Sequence, residues 1–218
     1  MLEKPITVFA HSAICLRGKY QIYIDPFHIP QNFHDADFVF ITHPHWDHFS
    51  LLDILKVKKE DTNFIIPKEV YEELLDIGIL EEHIKIVKPF ESYSFAFMKF
   101  QTIPAYNREK NYHLKESNWM GYLITLDQIV YYIAGDTDIH PFNREIKADV
   151  VFLPVGGVYT MDAREAARLA NLIHPHLAIP THYLTVVGAL SDAKDFRRYL
   201  HQGIACQIFY HTKEEENE

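Results

Sequence analysis

Apolar residues come in short blocks separated by Gly, Pro and Asp, and the blocks read as strands before they read as helices. Ile6 to Ala10, Ala13 to Leu16 and Tyr20 to Asp25 are strand-like, with Gly18 turning the last two into a hairpin. Phe38 to Thr42 is a near-continuous apolar run, as expected of a strand covered on both faces. Helical signals follow over Ser50 to Val57 and Lys68 to Ile77, the second stopped by Gly78. Ile84 to Val87, Tyr93 to Ile103, Trp119 to Leu126 and Ile129 to Ala134 return to strand character, with Asp127-Gln128 as a turn. Val150 to Val155 is a further buried strand, closed by Gly156-Gly157. Asp162 to Glu165 has the form of a capping box and opens a helix to Leu172. Leu177 to Pro180 predicts a strand, Asp192 to Leu200 a helix and Cys206 to Tyr210 a last strand. Hairpins first and strand–helix alternation later predict two sheets with helices outside, an α/β arrangement. No linker or repeat interrupts residues 1–212, which read as one domain; Lys213 to Glu218 is a charged, frayed tail.

Composition narrows the picture. A chain of 218 residues with 48% hydrophobic content, 15 Phe and 13 Tyr can bury a sizeable core. A formal charge of −9 argues against a sequence-independent grip on nucleic acid, which needs clustered Lys and Arg. The two cysteines, Cys15 and Cys206, form no Cys-x-x-Cys pair, and Cys15 lies in a strand-like run that predicts a buried thiol. No apolar stretch reaches the length of a membrane span and no leader pattern opens the chain, so a cytoplasmic protein without a membrane partner is expected. The abundant aromatics leave room for a homo-oligomeric interface.

The chemistry concentrates where apolar strands end. His43-Pro44-His45-Trp46-Asp47-His48 directly follows the Phe38 to Thr42 run, and imidazole and carboxylate are ligand types for zinc and its neighbours. Pro44 pushes His43 towards extended backbone, so His43 and His45 project on one side. Asp47 and His48 come where the chain can turn and can face a second, adjacent ion. Gly135-Asp136-Thr137-Asp138 repeats the pattern after Ile129 to Ala134, and the two oxygens of Asp136 suit a bridge between cations; a turn-capping Asp is the plainer alternative. His182, after Leu177 to Pro180, is the third such site. His11 and Asp25 also stand at strand ends, and Tyr159 and Trp119 are either cavity walls or core.

These motifs together, His43-x-His45-x-Asp47-His48, Gly135-Asp136-Thr137 and Thr181-His182-Tyr183, resemble the metallo-β-lactamase-fold hydrolases over nearly the whole chain. Ile24-Asp25-Pro26 and the segment from Pro154 to Met161 look like the branch that contains ascorbate-6-phosphate lactonase. The resemblance implies a four-layer αββα sandwich with one or two divalent ions, zinc first and manganese second, at one edge of the sheets. It assigns His43 and His45 to the first metal, Asp47, His48 and His182 to the second, and Asp136 to both. His11 and Asp25 would orient ligands from behind. The family's usual third histidine for the first metal is missing from Ile103-Pro104-Ala105-Tyr106-Asn107, which leaves Asn107 or His113 as a replacement. The implied reaction is hydrolysis of a small ester, lactone or phosphoester by metal-activated water, with Asp47 as the catalytic carboxylate. A phosphodiesterase or nuclease of the same fold, a non-catalytic metal-binding protein and an iron oxidoreductase are the alternatives.

Overall fold

The computed structural model describes residues 5–95 and 97–210, so the predicted tail at 213–218 lies outside the described residues. Its first sheet runs β1 (Ile6–Val8), β2 (Ile14–Arg17), β3 (Gln21–Ile24), β4 (Ala36–Phe40), β5 (Lys58–Ile66) and β6 (Ile84–Ile86), hydrogen-bonded in that order. The second contains β7 (Ser92–Ser94), β8 (Met98–Pro104), β9 (Met120–Leu126), β10 (Ile129–Ile133), β11 (Val150–Pro154), β12 (Leu177–Thr181) and β13 (Ala205–Cys206), again in sequence order across the sheet. Antiparallel hairpins give way to parallel pairs in both: β3, β4, β5 and β6 are parallel, as are β10, β11, β12 and β13.

Side-chain alternation explains why the sheets stack. In β4, Phe38 and Phe40 face the inter-sheet core while Val39 and the following Ile41 face the outer layer. In β11, Val150 and Phe152 face inward while Val151 and Leu153 pack outward. The inner core joins Ile14, Leu16, Ile22 and Phe40 of the first sheet to Phe100, Tyr122, Ile124 and Ile179 of the second. Outside the first sheet lie α1 (Leu51–Val57) and α2 (Tyr71–Asp76); outside the second lie α3 (Ala163–Ile173) and α4 (Leu190–Tyr199). The four layers are those of the αββα sandwich expected above. Among the described residues, no helix is long and apolar enough to cross a membrane.

Three sequence expectations need correction. β5 was not foreseen, because it follows α1 without a break and begins with the charged run Lys58-Lys59-Glu60-Asp61. Its buried end, Phe64 to Ile66, is too short to stand out as a pattern. The block Tyr93 to Ile103 is two antiparallel strands rather than one, paired with Tyr93 opposite Phe100. The last block, Cys206 to Tyr210, keeps only β13 as strand. Cys15 is buried in β2 as predicted.

The Asp162 box caps α3 as the sequence indicated: Asp162 Oδ1 accepts from the Glu165 amide at 2.8 Å and Glu165 Oε2 from the Asp162 amide at 3.0 Å. Removing the Asp162 carboxylate leaves the Glu165 amide, a helix-end donor, without its acceptor, while the Glu165 side chain can still accept from the backbone N–H of residue 162. Asp162→Ala is therefore expected to lower unfolding free energy by about 1 kcal/mol in a denaturant titration; an unchanged midpoint and slope would show that the cap is idle.

Candidate metal centre

Backbone turns immediately after strands carry the cluster. The chain leaving β4 presents His43, His45, Asp47 and His48, that leaving β10 presents Asp136, and that leaving β12 presents His182. Ligand sites at the carboxyl ends of parallel strands are the common solution in α/β sheets. Four residues of the region, His11, Asp25, His113 and His182, have positive φ between 46° and 61°. Non-glycine residues rarely hold that conformation, and such strain persists where surrounding contacts enforce it. Here the His182 amide donates to the His11 carbonyl at 2.9 Å, tying two of the strained residues together.

One group of donors is made of three imidazoles. His45 Nδ1 lies 3.1 Å from both His43 Nε2 and His113 Nε2. A neutral imidazole has one N–H, so three nitrogens facing one another cannot all be satisfied by hydrogen bonds among themselves. The Trp119 indole packs against all three rings, with centroids 4.8 to 5.6 Å away. A second group joins His11, Asp47, His48 and His182, whose ligand atoms all lie within 4.8 Å of one another. Asp136 lies between the groups. Its Oδ2 is 3.2 Å from His113 Nε2 and 3.0 Å from His182 Nε2, and its Oδ1 is 3.4 Å from His48 Nε2.

Of the two residues weighed for the missing histidine, His113 is the one brought against His45 and Asp136. The Asn107 NH2 group is spent on the loop, donating to the carbonyls of Tyr112 at 2.9 Å and Tyr159 at 2.6 Å, while its Oδ1 is buried without a hydrogen-bond partner. Its backbone N–H also donates to the His113 carbonyl at 2.8 Å, which closes the loop and aims His113 inward. His113 was hard to find because it stands six residues beyond the expected place, in a stretch without periodicity.

His11 and Asp25 occupy different depths. Asp25 lies behind the cluster: its carboxylate accepts from the Thr42 amide at 2.8 Å, the Thr42 hydroxyl at 2.6 Å and His48 Nδ1 at 2.8 Å. That last bond turns His48 Nε2 towards Asp136, the usual work of a carboxylate behind a ligand histidine. His11, expected at the same depth, instead stands among the donors, with Nε2 3.0 Å from Asp47 Oδ2. Gly156 makes room for this end of β12, since a Cβ there would fall 2.6 Å from the His182 carbonyl oxygen.

Electrostatics leave the cluster in a state suited to a cation. Burial holds His43 and His45 below the ordinary imidazole range, and burial with the neighbouring His182 and His48 brings His11 down to about 4. Burial opposes charge on Asp47 and Asp136, yet the surrounding imidazoles prevail. Asp47 sits at about 2 and Asp136 well below its usual value. His48 is the exception: burial disfavours its cation, but Asp136, Asp25 and Asp47 raise it to about 9. Burial pushes the Asp25 carboxyl up against the hydrogen bonds that favour its charge. Several buried atoms here, including both His11 nitrogens, His48 Nε2, Asp136 Oδ1 and His182 Nδ1, make no hydrogen bond. Ionised carboxylates, neutral imidazoles and unspent lone pairs are what divalent metal ligation requires, so the residues fit the ions implied by the motif.

The cluster opens to the surface through a cavity of about 260 Å³, lined by His45, Asp47, His113, Asp136 and His182 together with Trp46, Tyr112, Tyr159 and Val186. Tyr159 is thus a wall residue, while Trp119 serves the imidazoles. Trp46 and Tyr112 had carried no signal beyond being aromatic.

Two stacked sheets with a histidine–aspartate cluster at the strand ends define a metallo-β-lactamase-fold protein. The pattern of the beta-lactamase superfamily domain matches residues 5–182. A UPF0173 metal-dependent hydrolase of Pyrococcus horikoshii is 28% identical over 215 residues, covering 88% of this chain and 90% of the relative. A UPF0173 protein of Pyrococcus abyssi is 30% identical over 202 residues, with 89% and 90% covered. Among solved structures, a protein of Parabacteroides distasonis described as a candidate metal-dependent hydrolase superposes with a TM-score of 0.78 at 30% identity, covering 93% of this chain and 91% of its own. Igni18, a metallo hydrolase of Ignicoccus hospitalis, shares the fold with a TM-score of 0.77 at 23% identity and 95% coverage of both chains. The chain belongs to the beta-lactamase superfamily and to its metal-dependent hydrolases.

The raised His48 value gives a signed expectation. Below about pH 9 the imidazole is protonated, and a cation taking Nε2 must displace that proton. Metal binding at pH 7 should therefore release about one proton from His48, and apparent affinity should climb with pH until about 9. Calorimetric titration with zinc in two buffers of different ionisation enthalpy reads this directly; identical heats in both would contradict it.

Proposed function

We propose that the protein hydrolyses a small ester, lactone or phosphoester with two divalent cations, zinc foremost and manganese second. His43, His45 and His113 would hold the first and Asp47, His48 and His182 the second, with Asp136 shared. The observation that carries this reading is the position of the Asp136 carboxylate, within 3.2 Å of an imidazole from each group. When bound, such ions acidify water and polarise the carbonyl or phosphoryl group under attack.

The protein's own groups have separable tasks. Asp47 borders the cavity and is ionised far below neutral pH, so it accepts a hydrogen bond from the attacking water better than it keeps a proton. His11, with Nε2 3.0 Å from Asp47 Oδ2, would join that carboxylate, His48 and His182 in the second group of ligands. Asp25 and Thr42 lock His48, and Tyr159 supports His113 through its carbonyl, 3.1 Å from His113 Nδ1. For an ester, the water oxygen bonds to the acyl carbon and the acyl–oxygen bond breaks. The alcohol leaves with one water proton, and the other is released as the acid ionises. The acidic overall charge and the lack of Lys or Arg among the described residues lining the cavity weigh against a nuclease. The buried, oriented donor set favours an enzyme over a storage or sensor site, because Asp47 and the cavity face the same space.

Asp136→Asn removes the shared charge while keeping the shape. Turnover of p-nitrophenyl acetate by the metal-replete variant should fall about a hundredfold or more, and near wild-type turnover would defeat the assignment.

A further inference from the structure

The cavity wall beyond the metal-facing residues is chemically uniform. Trp46, Tyr112, Tyr159 and Val186 supply it, and among the described residues no lysine or arginine lines it. Lys110, two residues before Tyr112 in the chain, is engaged by Asp138. Three of the apolar side chains lining this cavity stay open to solvent: Trp46 is 66% exposed, Tyr112 50% and Val186 36%. Exposed apolar groups gathered at a cavity mark a surface meant to be covered. These walls are also held in place. Trp46 meets Phe27 edge-on at 5.6 Å, and Tyr112 meets Tyr159 at 4.7 Å with an interplanar angle of 86°.

Resting on the hydrolase reading of the same site, we infer that the substrate is a small, uncharged ester or lactone bearing an aromatic or similarly flat apolar group, seated against Trp46, Tyr112 and Tyr159. A phosphate monoester brings charge that the wall has no cation to meet, so its binding would fall wholly on the metals. A flat ring instead gains offset or edge contacts with the three aromatic walls. Size agrees: a cavity of about 150 Å³ accommodates a benzene ring, and the 260 Å³ here leaves space for an ester group reaching Asp47 and Asp136. The phenol hydroxyls of Tyr112 and Tyr159 and the indole N–H of Trp46 are the wall's polar side-chain groups, enough to orient a carbonyl-bearing ligand but not to neutralise an anion.

The test uses the metal-replete full chain with three substrates and one inert ligand. Methyl phenylacetate and methyl propanoate share a leaving group, phenyl phosphate carries the ring with charge, and phenylacetamide carries the ring on a far less reactive carbonyl. The expected result is kcat/KM at least tenfold higher for methyl phenylacetate than for methyl propanoate, expressed mainly in KM, with phenyl phosphate poorest. Trp46→Ala and Tyr112→Ala should bring the ratio towards one, and Trp46→Phe should restore it. Tyr112 carries the test if Trp46→Ala fails to fold, because its side chain is not part of the metal cluster. Calorimetry should find phenylacetamide binding to the wild type and at least tenfold weaker binding to either alanine variant. Equal turnover of the two methyl esters, preference for phenyl phosphate, or undiminished phenylacetamide binding by the variants overturns the inference. No turnover of any substrate, with phenylacetamide binding still lost on truncation, supports the aromatic subsite and removes the hydrolase reading alone.

Discussion

Uncompensated polarity at one buried point is the constraint on which the site rests. Asp136, His43, His48 and His182 are almost wholly removed from solvent, and Asp136 Oδ1, His48 Nε2 and His182 Nδ1 make no hydrogen bond. Five buried polar atoms of His11, His48, Asp136 and His182 meet their neighbours without a well-aligned hydrogen bond, and burial of such atoms is unfavourable. A protein keeps that much frustration in one place only if something else relieves it. A divalent cation would do so, accepting the imidazole lone pairs and balancing the carboxylates together. On the proposed reading, stability is tied to occupancy, because the ion that would complete the chemistry would also relieve this burial.

The sandwich makes that concentration of charge possible. Phe40, Phe100 and Tyr122 fill the space between the sheets and hold the strand ends in register, while the Tyr122 hydroxyl donates to the Ile41 carbonyl at 2.6 Å just before the histidine motif. The two sheets contribute unequally. The first gives the contiguous motif after β4 and the supporting Asp25 after β3; the second gives Asp136 and His182 from separate strands. The Met120 amide, 3.3 Å from the Thr42 carbonyl, links them at the site itself. A small error in sheet packing would therefore reach the cluster at once.

Much of this was legible in the chain, for definite reasons. Strands covered on both faces, such as Phe38 to Phe40 and Val150 to Pro154, show as unbroken apolar runs, and the residues directly after them are placed by local sequence alone. That is why His43, His45, Asp47, His48, Asp136 and His182 could be singled out. What escaped lay in segments whose conformation depends on distant partners. β5 hides its charged half at the sheet margin. His113 gains its place from Asn107 bonds to Tyr112 and Tyr159, the last of these 52 residues away. His11 reads as a supporting residue until its left-handed backbone brings it beside Asp47. The aromatic cavity walls are likewise invisible to periodicity, because an exposed Trp and a buried one look the same in a sequence.

The most direct test of the account is anomalous diffraction from crystals grown with zinc. Two peaks are predicted, one among His43, His45 and His113 and the other among His11, Asp47, His48 and His182, with the Asp136 carboxylate between them. Full-strength zinc peaks elsewhere on the molecule, with none inside this cluster, would contradict it.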